Sequence, residues 1–200
     1  MPEDYYYTIE NNSIAEFKDR GSRFIGYAFP ISTVSDFKER LVEIKKEHPK
    51  ATHHCFAYRL GLDGDTFRVA DDGEPSGSAG RPILGQIDSK QLSNVLVIVV
   101  RYFGGTLLGV PGLINAYKTA AALCLQTIPT VQKPVLVNYK IQFDYTQLNN
   151  VMKIVKQADC QINQQEIQLF CILSIGIAKP RLEEVLYRLK DLNGLEITKE

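Results

Sequence analysis

"NVLVIVVRYFGGTLLGVPGLINAYKTAA", residues 94–121, begins with an unbroken aliphatic run from Val95 to Val100. Successive side chains of a strand point to opposite faces, so such a run has no polar face to give to water. It predicts a strand in the centre of a sheet covered on both sides. After the glycine-rich turn the apolar spacing changes. Leu113, Tyr117, Ala121 and Cys124 recur at helical intervals, which predicts a helix over about 111–127.

Working upstream, "GRPILGQIDSKQLS" (80–93) reads as a short helix with Pro82 in its first turn. "THHCFAYRLG" (52–61) alternates as a strand, and "DTFRVADDG" (65–73) reads as its hairpin partner through a turn at Leu62-Asp63-Gly64. "STVSDFKERLVEIKKEHP" (32–49) places Val34, Phe37, Leu41 and Ile44 at helical spacing. Thr33 with Asp36 fits a capping box there, and Pro49 stops the helix. "NSIAEFKDRGSRFIGYAFPI" (12–31) reads as two strands around a turn at Asp19-Arg20-Gly21.

Downstream, "TIPTVQKP" (127–134) carries Pro129 and Pro134 and reads as a linker. The pattern then restarts as strand 135–143, helix 146–158, two strands within 161–177, helix 179–192 and strand 194–198. That order, βαββαβ, is the split βαβ pattern of a ferredoxin-like domain. The expected organisation is a domain over 1–129, a linker at 130–134 and a ferredoxin-like domain over 135–200. The class is α+β.

The 200 residues carry 23 Lys plus Arg and 23 Asp plus Glu. A balanced chain has no overall field to drive unselective binding to nucleic acid or anionic lipid. The opening "MPEDYYYTIENN" has no signal-peptide pattern, and the run at 95–100 is too short to cross a bilayer. A cytoplasmic protein with no membrane partner is expected. Cys55, Cys124, Cys160 and Cys171 include no CxxC pair and read as reduced core residues.

Two glycine-rich turns stand out, "DDGEPSGSAG" (71–80) and "RYFGGTLLGVPG" (101–112), each before a helix. Amides at a helix start suit an anion, so each could bind phosphate, or each could be a capped tight turn. Neither fits GxxxxGK[ST] or GxGxxG. Asp71, Asp72 and Glu74 could ligate Mg²⁺, or could cap amides of their own turn. His53 and His54 are adjacent in a strand and point to opposite faces, so they cannot jointly hold one metal; His48 sits at a helix end. No GxSxG occurs, and Ser76 and Ser78 have no identifiable base. No catalytic constellation, metal site or cofactor is expected. For nucleic acid, Arg59, Arg68, Arg81, Arg101 and Lys118 could contact phosphates, and Tyr102 and Phe103 could stack on bases. Asn138, Lys140 and Gln142 give the second domain a polar sheet face without the aromatic motif of RNA-stacking modules.

Taken together, "ADDGEPSGSAGRPIL" (70–84), "VVRYFGGTLLGVPGLINAYKTAA" (99–121) and, upstream, "HHCFAYRLG" (53–61) closely resemble the YigZ/IMPACT family. The resemblance covers roughly residues 15 to 128, with the small second domain matching the bacterial arrangement. It implies a first domain similar to the second domain of a small-subunit ribosomal protein, an α/β sandwich related to ribonuclease PH and to a domain of elongation factor G. It implies that the signature residues are Asp71, Asp72, Gly73, Glu74, Pro75, Gly77, Gly80, Arg81 and Pro82, then Arg101, Tyr102, Gly104, Gly105, Leu108, Gly109, Gly112, Leu113 and Tyr117. Eukaryotic members regulate translation by competing for a partner of a kinase.

Two positions depart from the family pattern: Pro111 stands where a glycine is usual, and Asn115 where an arginine is. Losing that arginine removes a charge that could grip phosphate, unless Lys118 substitutes one turn later. The expected binding surface is built from Asp71, Asp72, Gly73, Glu74, Ser76, Gly77, Arg81, Arg101, Tyr102, Phe103, Gly104, Gly105 and Lys118. Its acids are expected to shape the surface and to receive Arg81 or Arg101. The expected partner is RNA, the ribosome or a translation factor. A Mg²⁺-dependent enzyme acting on a nucleotide or phosphorylated small molecule, and a pure protein-interaction module, are the alternatives.

Overall fold

A computed structural model describes residues 4–62 and 66–200. The chain divides into two compact units, residues 6–133 and residues 1–5 with 134–200.

The larger unit is built on a five-stranded antiparallel sheet in the order β2-β3-β6-β4-β5. Its strands are β2 (Ser13–Asp19), β3 (Ser22–Pro30), β4 (His53–Leu60), β5 (Thr66–Ala70) and β6 (Val95–Tyr102). The aliphatic run is the central strand, and Val95 to Val100 are all buried. Arg20 and Gly21 have φ of 46° and 79°, the left-handed pair that matches a two-residue hairpin to strand twist. The turn expected at Leu62-Asp63-Gly64 lies outside the described residues beyond Leu62.

Alternation assigns the two faces of this sheet. Val95, Val97 and Val99, with Cys55, Ala57 and Phe24, pack against α2 (Gly80–Ser89) and α3 (Gly109–Gln126). Leu96, Ile98 and Val100, with Ile25, Tyr27, Phe56 and Tyr58, pack against Phe37 and Ile44 of α1 (Val34–Glu47). The Thr33 side chain accepts from the Asp36 amide, and Asp36 reaches back to the Thr33 amide, so the capping box is formed. α3 lies so close to β3 that a Cβ on Gly26 would stand 2.6 Å from the Ala120 carbonyl oxygen.

Residues 131–134, inside the expected linker at 130–134, are not irregular. They form β7 (Val131–Pro134), which pairs with β1 (Tyr5–Thr8) as a two-stranded sheet. Pro134 at its end and Pro129 just before it hide this strand in the sequence, because an edge strand tolerates the missing amide that a central strand does not.

The smaller unit runs β8 (Leu136–Asp144), α4 (Leu148–Gln157), β9 (Gln161–Glu166), β10 (Phe170–Ala178), α5 (Leu182–Lys190) and β11 (Glu196–Lys199). Its antiparallel sheet has the order β11-β8-β10-β9. One face carries Ile141, Phe143, Leu173, Ile175 and Ile177 against Val151, Val155, Val185 and Leu189 of the two helices. Asn138, Lys140 and Gln142 alternate to the other face. No helix among the described residues is long and apolar enough to cross a membrane.

Candidate functional site

The acid-rich turn joins β5 to α2, and its three carboxylates do three different things. Asp71 Oδ1 accepts the amides of Ala79 (3.0 Å) and Gly80 (2.8 Å), while Oδ2 accepts the Gly77 amide (2.8 Å). The residue before α2 is Ala79, which has no capping oxygen, so Asp71 supplies the cap from eight residues upstream. Burial alone would raise the Asp71 carboxyl, but the three amide donors outweigh it and hold it below the usual carboxylate range. The anion that a helix start invites is therefore the chain's own.

Asp72 ties the turn to β4. Its backbone carbonyl accepts from His53 Nδ1 at 2.7 Å, and its Oδ2 accepts the His54 amide at 2.6 Å. A carbonyl can only accept, so His53 carries its proton on Nδ1.

Glu74 turns inward. Its side chain is 3 % exposed, and Oε1 receives Arg101 Nη1 at 2.6 Å and the Tyr117 hydroxyl at 2.7 Å. His53 Nε2 stands 3.7 Å from the same oxygen. Arg101 also donates to Ser22 Oγ (3.4 Å), which in turn accepts the Gly104 amide (3.2 Å). The guanidinium carbon lies 5.4 Å from the ring centre of Phe24 and 5.6 Å from that of Phe103. Its Nε is buried with no hydrogen-bond partner among the described residues. A buried ion pair persists only when further donors satisfy it, and here Tyr117 does so from α3. Burial, then the Cys55 thiol and the Glu74 carboxylate, push the Tyr117 phenol well above its ordinary range. Burial likewise pushes the Cys55 thiol far up, which makes it a poor nucleophile.

Arg101 and Tyr102 are neighbours on β6 and so face opposite ways. Tyr102 is not on the loop surface. Its hydroxyl meets His48 Nδ1 at 2.8 Å under α1, and His48 Nε2 meets the Tyr27 hydroxyl at 2.6 Å. Tyr27 also donates to Glu47 at 3.2 Å, and burial followed by that carboxylate raises its phenol to about 12. His54, on the same face, meets the His48 carbonyl through Nε2 at 3.1 Å, and burial lowers its pKa.

The structure thus brings Asp71, Asp72, Glu74 and Arg101 into one network, with Gly73 against the His53 ring and Gly104 against the β2–β3 turn. A Cβ on Gly104 would stand 1.9 Å from the carbonyl carbon of Gly21, so only glycine fits. Ser76, Arg81 and Lys118 are exposed, and their side chains enter no hydrogen bond or ion pair among the described residues. Arg101 is buried and cannot reach a phosphate, and Arg59 is held by Asp88 at 2.7 Å. Among the described residues no group of three His, Cys, Asp or Glu side chains is placed to hold a metal ion. Sequence reasoning names Tyr117 as a signature residue but leaves it out of the expected surface, and it does not single out Ser22, Tyr27 or His48 as network members. Strand parity was the available signal, since Arg101 follows Val99 and Tyr102 follows Val100 onto buried faces.

What the network leaves outside is apolar. In the segment leading into α3, Phe103 is 46 % exposed, Leu107 82 % and Val110 46 %. Pro111 removes one amide from the first turn of α3, and no acidic side chain caps that turn.

The chain is thus a mixed α/β protein in which two glycine-rich turns are fastened to a central sheet by a buried carboxylate–guanidinium–phenol network. Residues 20–125 match the Impact N-terminal domain, and the chain belongs to the IMPACT family. It is 33 % identical over 174 residues to the IMPACT family member YigZ of Escherichia coli, covering 86 % of this chain and 85 % of that one. A Haemophilus influenzae IMPACT family member is 34 % identical over 89 % of this chain and 87 % of its own. Protein IMPACT of Rattus norvegicus is 32 % identical over 48 % of this chain and 31 % of its own. A crystal structure described as that of a hypothetical protein superposes with a TM-score of 0.81 at 30 % identity, covering 98 % of this chain and 97 % of that one.

Proposed function

We propose that this protein is a binding protein of the translation apparatus, and that it engages a protein surface, on the ribosome or on a translation factor, through residues 103–110, the loop before α3 and the first two residues of that helix. The observation that carries this reading is the contrast between the loop and its support. Phe103 is 46 % exposed and Leu107 82 %, while Arg101, 5.6 Å from the Phe103 ring, is buried and joined through Glu74 to Tyr117. A rigidly backed, solvent-exposed apolar loop suits the core of a protein interface, which is depleted in charge. Of the basic residues expected to meet phosphate, Arg101 is internal and Arg59 is paired with Asp88, while Arg68, Arg81 and Lys118 are exposed and leave the salt response to separate the two kinds of contact.

The fold supports the translation part of the reading. We read the β11-β8-β10-β9 order as a ferredoxin-like domain and the larger unit as the ribosomal-protein-type sandwich that the family resemblance implies. Fold alone does not set function, so the test is direct. Native extract is fractionated on sucrose gradients at low and moderate salt, with and without ribonuclease. Co-migration with ribosomal particles or a translation factor that tolerates moderate salt supports a protein contact. Loss on a modest rise in salt points to phosphate contacts instead, whose affinity falls steeply with salt. Migration only at the top of the gradient contradicts the reading.

A further inference from the structure

The two faces of the larger sheet are covered unequally. Five strands about 4.8 Å apart make a sheet about 19 Å wide, and one helix covers only about 10 Å of it. Two helices pack on one face and α1 alone on the other. The strip over edge strand β2 is therefore left open. Ile14 sits directly opposite Tyr27 in register, yet it is 57 % exposed while Tyr27 is 7 % exposed. A groove of about 460 Å³ lies there, between β2 and the last turns of α1.

We propose that this groove binds a small organic ammonium compound with an apolar body. The volume falls in the range of small-molecule sites. Ile14, Tyr27, Phe29 and Ile44 supply apolar wall, with the Tyr27 and Phe29 rings parallel within 2°. Glu43 and Glu47, one helical turn apart on α1, supply two carboxylates, and Arg40 stands at the rim with its guanidinium carbon 5.3 Å from the Phe29 ring centre. Glu43 is shared with Arg40 at 2.8 Å, which leaves Glu47 as the principal acceptor. Glu47 is aimed: the Tyr27 hydroxyl donates to it at 3.2 Å, and Tyr27 is itself held by His48 at 2.6 Å. A carboxylate already receiving one neutral donor still has lone pairs for an ammonium group, which brings three donors and no acceptor. A carboxylate ligand would be repelled, and an alcohol would bring a single donor and no positive charge to set against the carboxylates. This site lies on the α1 face, whereas the Glu74–Arg101 network lies on the other, so the inference stands independently of the translation reading.

The test is a titration of the ¹⁵N-labelled full chain with 2-phenylethylamine, followed by amide chemical shifts, with 2-phenylethanol and 3-phenylpropionate run in parallel. Saturable shifts with the amine, centred on β2, β3 and the end of α1, are expected. The alcohol should bind at least roughly tenfold more weakly, and the acid not at all. Glu47→Gln should weaken the amine by roughly tenfold and the alcohol much less. Ile14→Trp, which fills the groove without touching the acids, should abolish binding of both. Both positions are exposed, so both variants should melt with the parent. Absence of saturable binding overturns the proposal. So does equal binding of amine and alcohol, or an amine affinity that Glu47→Gln leaves unaltered.

Discussion

Glu74 and Arg101 meet at 2.6 Å with side chains only 3 % and 6 % exposed, although 27 residues separate them in the chain. Removing one partner strands the other as a buried charge, which costs about 3–5 kcal/mol, whereas removing both costs far less. Arg101→Met should therefore destabilise strongly in urea titration. Glu74→Gln together with Arg101→Met should recover much of that loss, because the Gln oxygen still accepts from Tyr117. Strictly additive losses would mean that the pair is not coupled.

Asp71 makes a pH prediction. Asp71→Asn weakens the acceptor for three amides and should cost about 1 kcal/mol, the usual scale of a helix cap at a partly exposed site. The folded carboxyl is held below its ordinary range, so the folded state keeps it ionised where the unfolded state would protonate it. The advantage of the parent over the variant is thus full above the ordinary carboxylate pKa and fades as pH falls through the folded value. Urea midpoints of both proteins across acid pH should converge. A gap that persists at the acid end would contradict the assignment.

The elements and their order were largely legible in sequence, and the network was not. The run at 95–100 can only be a two-faced strand, and Thr33 with Asp36 marks the start of α1 by local chemistry alone. Nothing local distinguishes Asp71, which caps, from Glu74, which goes inside; that depends on Arg101 and Tyr117 arriving from β6 and α3. Tyr117 looked like an ordinary core position because its ring is one, packed edge-on to Phe24 at 5.2 Å. Only its hydroxyl does something else. β7 is illegible because its four residues, Val131-Gln132-Lys133-Pro134, carry no strand pattern when the strand lies at an edge.

His54 should contribute stability in the opposite way to a histidine that gains a partner. Burial lowers its pKa from 6.5, so below that pH the unfolded chain takes up a proton that the folded chain refuses. More protons bound to the unfolded state means stability that rises with pH. Its share is complete above about 6.5 and is lost as pH falls toward the folded value. His54→Gln retains a donor for the His48 carbonyl and should flatten this part of the stability–pH curve. An unaltered slope would exclude His54 as its source.

Two glycines should respond with opposite sign to the same substitution. Gly104→Ala drives a methyl into the Gly21 backbone and should cost at least about 1–3 kcal/mol. Gly85, exposed within α2 with open space where a Cβ would stand, should gain about 0.5–1 kcal/mol on substitution by Ala. Thermal or urea unfolding separates the two readily, and a neutral Gly104→Ala would disprove the close approach of the loop to the β2–β3 turn.

The most direct test of the proposed function compares the parent with Leu107→Asp in the same ribonuclease-treated sucrose gradient. Leu107 is 82 % exposed, so the variant should unfold at the same urea concentration as the parent. The proposed interface predicts that the parent co-migrates with a ribosomal particle or translation factor and that Leu107→Asp stays at the top. A variant that co-migrates as fully as the parent would contradict it.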